Sequence, residues 1–197
     1  SFDRRWSMYR WVVMELGRLS SEHSVLPLIH FIEVEPTGQL EQDLMMSVSN
    51  DVNWARWDVQ CALGLAQLRG DAAFALAKIG DARALPVLTA YLERLTRTVE
   101  TNLASEYTDS SILWSYGAVC KAITAFGSKT GIDAMVSSLG RFTEPNPEMV
   151  IYNLRFCTGQ SFGPETFLPS HLWPAIFAEW KAWWQENRET FQIDREQ

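Results

Sequence analysis

The sequence predicts an all-α protein built as an α-solenoid, a superhelical array of two-helix repeats. Apolar residues recur every three or four positions almost throughout, as at Trp6, Tyr9, Val13 and Leu16. The strict alternation typical of β-strands is nearly absent. Glycine- and proline-containing breakers separate the periodic segments, and one kind of breaker recurs along the chain. These three features together favour helices joined by short hinges.

Helices are predicted wherever the helical period continues between breakers. They cover residues 3–19, 22–34, 40–48, 52–79, 83–99, 109–126, 129–141, 147–157 and 171–190. Within 52–79, residues 65–71 echo residues 76–81 at an offset of about three helical turns, which keeps the apolar stripe in phase. The pattern leaves open whether this segment is one long helix or two helices with a turn at Gly70 and Asp71.

The hinges reveal the repeat. Residues 75–88 align without a gap with residues 122–135, and residues 16–29 form a related unit after one extra residue. At the hinge within residues 75–88, Gly80 can end one helix in the left-handed conformation and Asp81 can cap the next. We therefore predict a single domain over 1–197, with repeats near 3–34, 52–99 and 109–141 and a closing repeat and cap at 147–190.

The last predicted helix carries an aromatic stripe. Trp173, Phe177, Trp180 and Trp184 fall on one face at steps of 4, 3 and 4. An open array must cover the apolar end of its last repeat, which favours a capping helix. The alternative is an aromatic patch that binds a partner, for which Trp183 is the best candidate because it lies off the main stripe.

Three segments resemble bacterial HEAT-like repeats of the kind also found in phycobilin lyases. They are Arg-Trp-Asp at 56–58, the Gly-Asp hinge with its early proline at 75–88, and the Thr-Gly-Gln loop at 158–163 before the tryptophan-rich helix. The resemblance covers most of 3–190 and implies the solenoid fold. It implies no single activity, because such arrays serve many unrelated functions.

Composition narrows the function classes. The chain has 197 residues, 47% of them hydrophobic, and a net charge of -7. It is too apolar for a disordered tail, and its apolar runs are far shorter than the roughly 18 residues that cross a bilayer. The acidic balance disfavours nucleic acid as a partner. Three cysteines without a C-x-x-C pair indicate a reduced, cytoplasmic chain. The short apolar runs predict no membrane contact.

Catalytic and metal motifs are weak. Residues 159–163 match G-x-S-x-G formally, but that motif requires a strand, a sharp turn and a helix. His23, His30 and Glu33 lack further ligands that would converge on a metal. There is no phosphate-cradling glycine motif. We therefore expect no catalytic residue, metal or cofactor.

Binding residues are expected on the second helices, which line the concave face of such arrays. The candidates are His30, Arg83, Tyr91, Arg94, Arg97 and Asp133. Arginine pairs with carboxylates and stacks on aromatic rings, which suits a protein or peptide partner with acidic groups. The predicted function is a non-catalytic, protein- or peptide-binding scaffold. The alternative is that these residues are ordinary solvent-exposed side chains without a binding role.

The resemblance also leaves enzymes on the same fold as alternatives. One is a lyase-like protein that acts on a bilin. The other is a DNA-glycosylase-like protein, with Trp57, Asp58, Arg94 and Arg97 as its candidate residues, which the net charge of -7 disfavours. The sequence leaves the partner's identity and the oligomeric state open.

Overall fold

The predicted all-α fold is confirmed. A computed structural model describes residues 2–33, 54–102, 110–141, 147–163 and 169–194, and these segments contain helices and turns only. The helices are α1 Phe2–Leu19, α2 Glu22–Glu33, α3 Trp54–Ile79, α4 Ala84–Asn102, α5 Ser110–Ala125, α6 Thr130–Ser138, α7 Pro147–Thr158 and α8 Trp173–Asn187, with a 3-10 turn at Ser170–Leu172. The predicted helix over 40–48 lies outside the described residues. No helix among the described residues is long and apolar enough to cross a membrane.

The helices pack in two layers. In the first layer, α3 lies between α1 and α5, and α5 lies between α3 and α7. In the second layer, α2 packs against α4, and α6 packs against α8. The core between the layers consists of fully buried aliphatic side chains, which include Leu28, Leu76, Leu88, Leu113, Ile123, Ile132 and Leu154. Stacked helix pairs that share one apolar core are the arrangement of a helical repeat array.

Each helix of the first layer ends at a residue with left-handed backbone geometry. The φ values are +45° at Ser20, +75° at Gly80, +83° at Gly127 and +69° at Gly159. The first three are the predicted hinges, and the fourth shows that α7 ends in the same way. Glycine adopts this conformation without the Cβ clash that other residues suffer, so three hinges have the favoured residue and Ser20 is the exception.

Helix α3 is one continuous helix of 26 residues, which answers the question that the sequence left open. Gly70 lies inside it, at the crossing with α5. A Cβ atom on Gly70 would lie 2.6 Å from the Trp114 ring and 3.2 Å from the Cα of Ser115. Across the same crossing, the Ser115 hydroxyl donates to the carbonyl of Ala66 at 2.7 Å. The glycine is therefore needed for close helix packing and not for a turn.

The other contacts in the first layer also have a glycine at their closest approach. A Cβ atom on Gly17 of α1 would lie 2.6 Å from the Cβ of Ala75 in α3. A Cβ atom on Gly117 of α5 would collide with the side-chain amide of Asn153 in α7. Small residues thus set the spacing of the layer from α1 to α7.

The tryptophan-rich helix closes the array as predicted. Trp173, Trp180 and Trp184 are buried, and α8 packs on α6. Trp183, the candidate for an exposed aromatic patch, is half-buried. Its ring centroid lies 5.8 Å from that of Trp184 and 5.7 Å from that of Phe191. Trp183 therefore belongs to the aromatic cluster of the cap.

Candidate functional site

The predicted binding residues lie on different parts of the second layer. His30 is on α2, and Tyr91, Arg94 and Arg97 are on α4, which packs against α2. Arg83 precedes α4, and Asp133 is on α6. The structure therefore brings together the candidates of α2 and α4, whereas Asp133 has its contacts at the other end of the array.

Arg94 connects α4 to the C-terminal end of α2. Its Nη2 donates to the carbonyl of Ile32 at 2.8 Å, and its Nη1 donates to the carbonyl of Glu33 at 3.3 Å. The last carbonyls of a helix have no partner within the helix and carry partial negative charge, so a guanidinium satisfies and stabilises them. Arg94 therefore has a structural contact that could not be predicted from the sequence.

Tyr91 lies beneath two guanidinium groups. The Cζ of Arg94 is 5.3 Å from its ring centroid, and the Cζ of Arg69, on α3, is 5.7 Å from it. These distances fit cation–π contacts. Only 4% of Tyr91 is exposed, and burial raises the pKa of its phenol, which stays neutral at physiological pH. Tyr91 thus supports the arginines from below and presents almost no surface of its own.

Arg83 organises the hinge before α4. Its Nε lies 2.9 Å from Oδ1 of Asp81, its Nη2 lies 2.6 Å from Oδ2, and its backbone N–H also donates to Oδ1. These hydrogen bonds lower the pKa of Asp81 to about 2. The Nη2 of Arg83 is also 3.6 Å from a carboxylate oxygen of Glu22, at the start of α2. Arg83 thus contacts the first turn of α2, and Arg94 contacts its last turn.

These two contacts align α2 and α4 in parallel. Glu22 is level with Arg83, and Ile32 is level with Arg94. Each helix has an exposed stripe at helical spacing, with Leu26, His30 and Glu33 on α2 and Pro86, Ala90, Glu93 and Arg97 on α4. We call these seven residues the α2–α4 surface.

Two of the predicted binding residues belong to that surface. His30 is exposed, and Arg97 is exposed with its Nε 3.4 Å from the carbonyl of Glu93 in its own helix. Leu26, one turn before His30, is 61% exposed and adds an apolar contact. Leu26 is not among the binding residues predicted from the sequence, although its position one turn from His30 could have suggested it.

Asp133 joins α6 to α8. It accepts hydrogen bonds from Nε1 of Trp184 at 2.8 Å and from Nε and Nη2 of Arg188 at 2.7 and 2.9 Å. The bond from the Arg188 side chain is the largest cause that lowers the pKa of the Asp133 carboxyl. Its contacts tie the closing helix to the preceding repeat.

The cysteines and the motif serine that the structure describes are poorly placed for chemistry. Cys120 is buried, and desolvation raises the pKa of its thiol well above the ordinary value. Burial also raises the pKa of Cys157, to about 11. Ser161 lies in the loop after α7, without a preceding strand among the described residues. Neutral thiols and a loop serine of this kind are not activated nucleophiles.

Metal-ligating side chains do not converge among the described residues either. In the described parts of the chain, no three His, Cys, Asp or Glu side chains are grouped so that they could hold a metal ion. Trp57 and Asp58, the candidates for a glycosylase-like site, lie in the part of α3 whose side chains the structure does not describe.

The stacked helix pairs and their left-handed hinges define a helical repeat protein. The kind of repeat follows from a family model described as PBS lyase HEAT-like repeat, which matches residues 68–94. That segment contains the end of α3, the hinge at Gly80 and the first half of α4. This segment of the chain is thus a HEAT-like repeat, as the resemblance predicted. No curated protein and no solved structure matches the chain significantly.

Proposed function

We propose that this chain is a non-catalytic, cytoplasmic scaffold that binds a protein or peptide on the α2–α4 surface. The observation that carries the proposal is the parallel packing of α2 and α4, in which Arg94 bonds to the last turn of α2 and Arg83 lies 3.6 Å from Glu22 in its first turn. A surface held in one geometry before binding loses little conformational entropy when a partner docks. Repeat arrays commonly use such an extended face for recognition.

The chemistry of the surface favours a partner with both apolar and charged groups. Leu26 offers an exposed aliphatic contact, and His30 and Arg97 offer hydrogen-bond donors at the same face. An exposed guanidinium can bind a carboxylate through two parallel hydrogen bonds. Because Glu33 and Glu93 lie on the same surface, a peptide segment that carries charges of both signs beside a leucine-sized side chain fits this combination.

The enzyme alternatives have less support. Two candidates of the glycosylase-like alternative, Arg94 and Arg97, lie among the described residues, and the guanidinium of Arg94 is bonded to the carbonyls of α2. No described residue favours action on a bilin.

Substitutions on the surface test the proposal. Arg97→Glu and His30→Glu change exposed side chains, whereas Arg94→Glu would also break the α2–α4 contact and is unsuitable. Lys181→Glu, on the exposed face of α8, is a charge-matched control for Arg97→Glu. Proteins captured from the source lysate are quantified by mass spectrometry for each variant. We expect a protein that the wild type and the control retain and both surface variants lose. Equal recovery by all four would contradict the proposed surface.

A further inference from the structure

We draw no further inference here: the strongest candidate, the exposed apolar patch that Met8, Trp11 and Val12 form on the outward face of α1, carries nothing because nothing in the structure shows what covers it.

Discussion

The indole Nε1 of Trp184 donates a hydrogen bond to Oδ1 of Asp133 across 2.8 Å, and this bond fixes the rotation of α8 on α6. A large apolar ring can slide over an aliphatic surface at little cost, but its polar N–H needs a partner once it is buried. Arg188 donates to the same carboxylate from the end of α8. The cap is therefore held by packing and oriented by one acidic side chain.

Replacement of that acid should loosen the cap. Asp133→Ala leaves the N–H of the buried Trp184 without its acceptor, and we expect a loss of about 1–3 kcal/mol in the free energy of unfolding. Chemical denaturation followed by tryptophan fluorescence measures it. Glu179→Ala, on the exposed face of α8, is the control and should change stability by less than about 0.5 kcal/mol. Equal effects of the two substitutions would argue against the orienting role.

The contribution of Asp133 should depend on pH in a definite direction. Its pKa in the folded protein lies below the ordinary value of 3.8 because Arg188 and Trp184 stabilise the carboxylate. The stabilisation is therefore complete at neutral pH and is lost as the pH falls below about 3.8 through the lower folded pKa. Denaturation of the wild type and Asp133→Ala at several pH values should show a stability difference that shrinks in acid. A difference that grows in acid would contradict this assignment.

The contribution of Asp71 to stability should depend on pH in the opposite direction. Its carboxylate is buried between α3 and α1, and burial raises its pKa above 3.8 even though Arg10 pairs with it at 3.1 Å. Ionisation of Asp71 then costs stability as the pH rises from 3.8 through the raised folded pKa. The stability of Asp71→Asn relative to the wild type should therefore increase with pH over that window. If it decreases instead, the ion pair with Arg10 outweighs the desolvation of the carboxylate.

Hinges and cap could be predicted from the sequence because their signals are local. A glycine that ends one helix just before the next begins can be recognised within one or two helical turns of sequence. The same holds for tryptophans at helical spacing. The role of Gly70 could not be predicted, since Gly70-Asp71 and Gly80-Asp81 are the same dipeptide. One glycine ends a helix and the other faces Trp114 of a different helix. The contact of Arg94 could not be predicted for the same reason, because its acceptor at Ile32 lies 62 residues away.

Gly70→Ala tests the close crossing of α3 and α5. A methyl group there meets the Trp114 ring at 2.6 Å, so one helix or the ring must move, and overpacking of this kind costs about 1–3 kcal/mol. Trp114→Leu in the same chain should recover part of that loss, because the smaller side chain leaves room for the methyl group. A double-mutant cycle measured by chemical denaturation gives the coupling between the two positions. If the two effects simply add, the ring does not limit the approach of the helices.

Of the four described hinge residues with positive φ, Ser20 is the one that is not glycine. Its φ is +45°, and its hydroxyl donates to the carbonyl of Gly17 at 3.1 Å, which offsets part of the backbone strain. Ser20→Gly relieves the strain and Ser20→Ala keeps it without the hydroxyl, so the glycine variant should be more stable than the alanine variant by about 1 kcal/mol. Thermal and chemical unfolding of both variants measures the difference.

Gly80→Ala provides the reference for that measurement. Gly80 has φ at +75°, and a Cβ atom there would meet nothing within 4 Å, so the substitution reports backbone strain alone. We expect it to cost about 1 kcal/mol, close to the difference between the two Ser20 variants. Suppose that Ser20→Gly and Ser20→Ala are equally stable while Gly80→Ala clearly loses stability. The hinge at Ser20 would then not require left-handed geometry and would differ in kind from the glycine hinges.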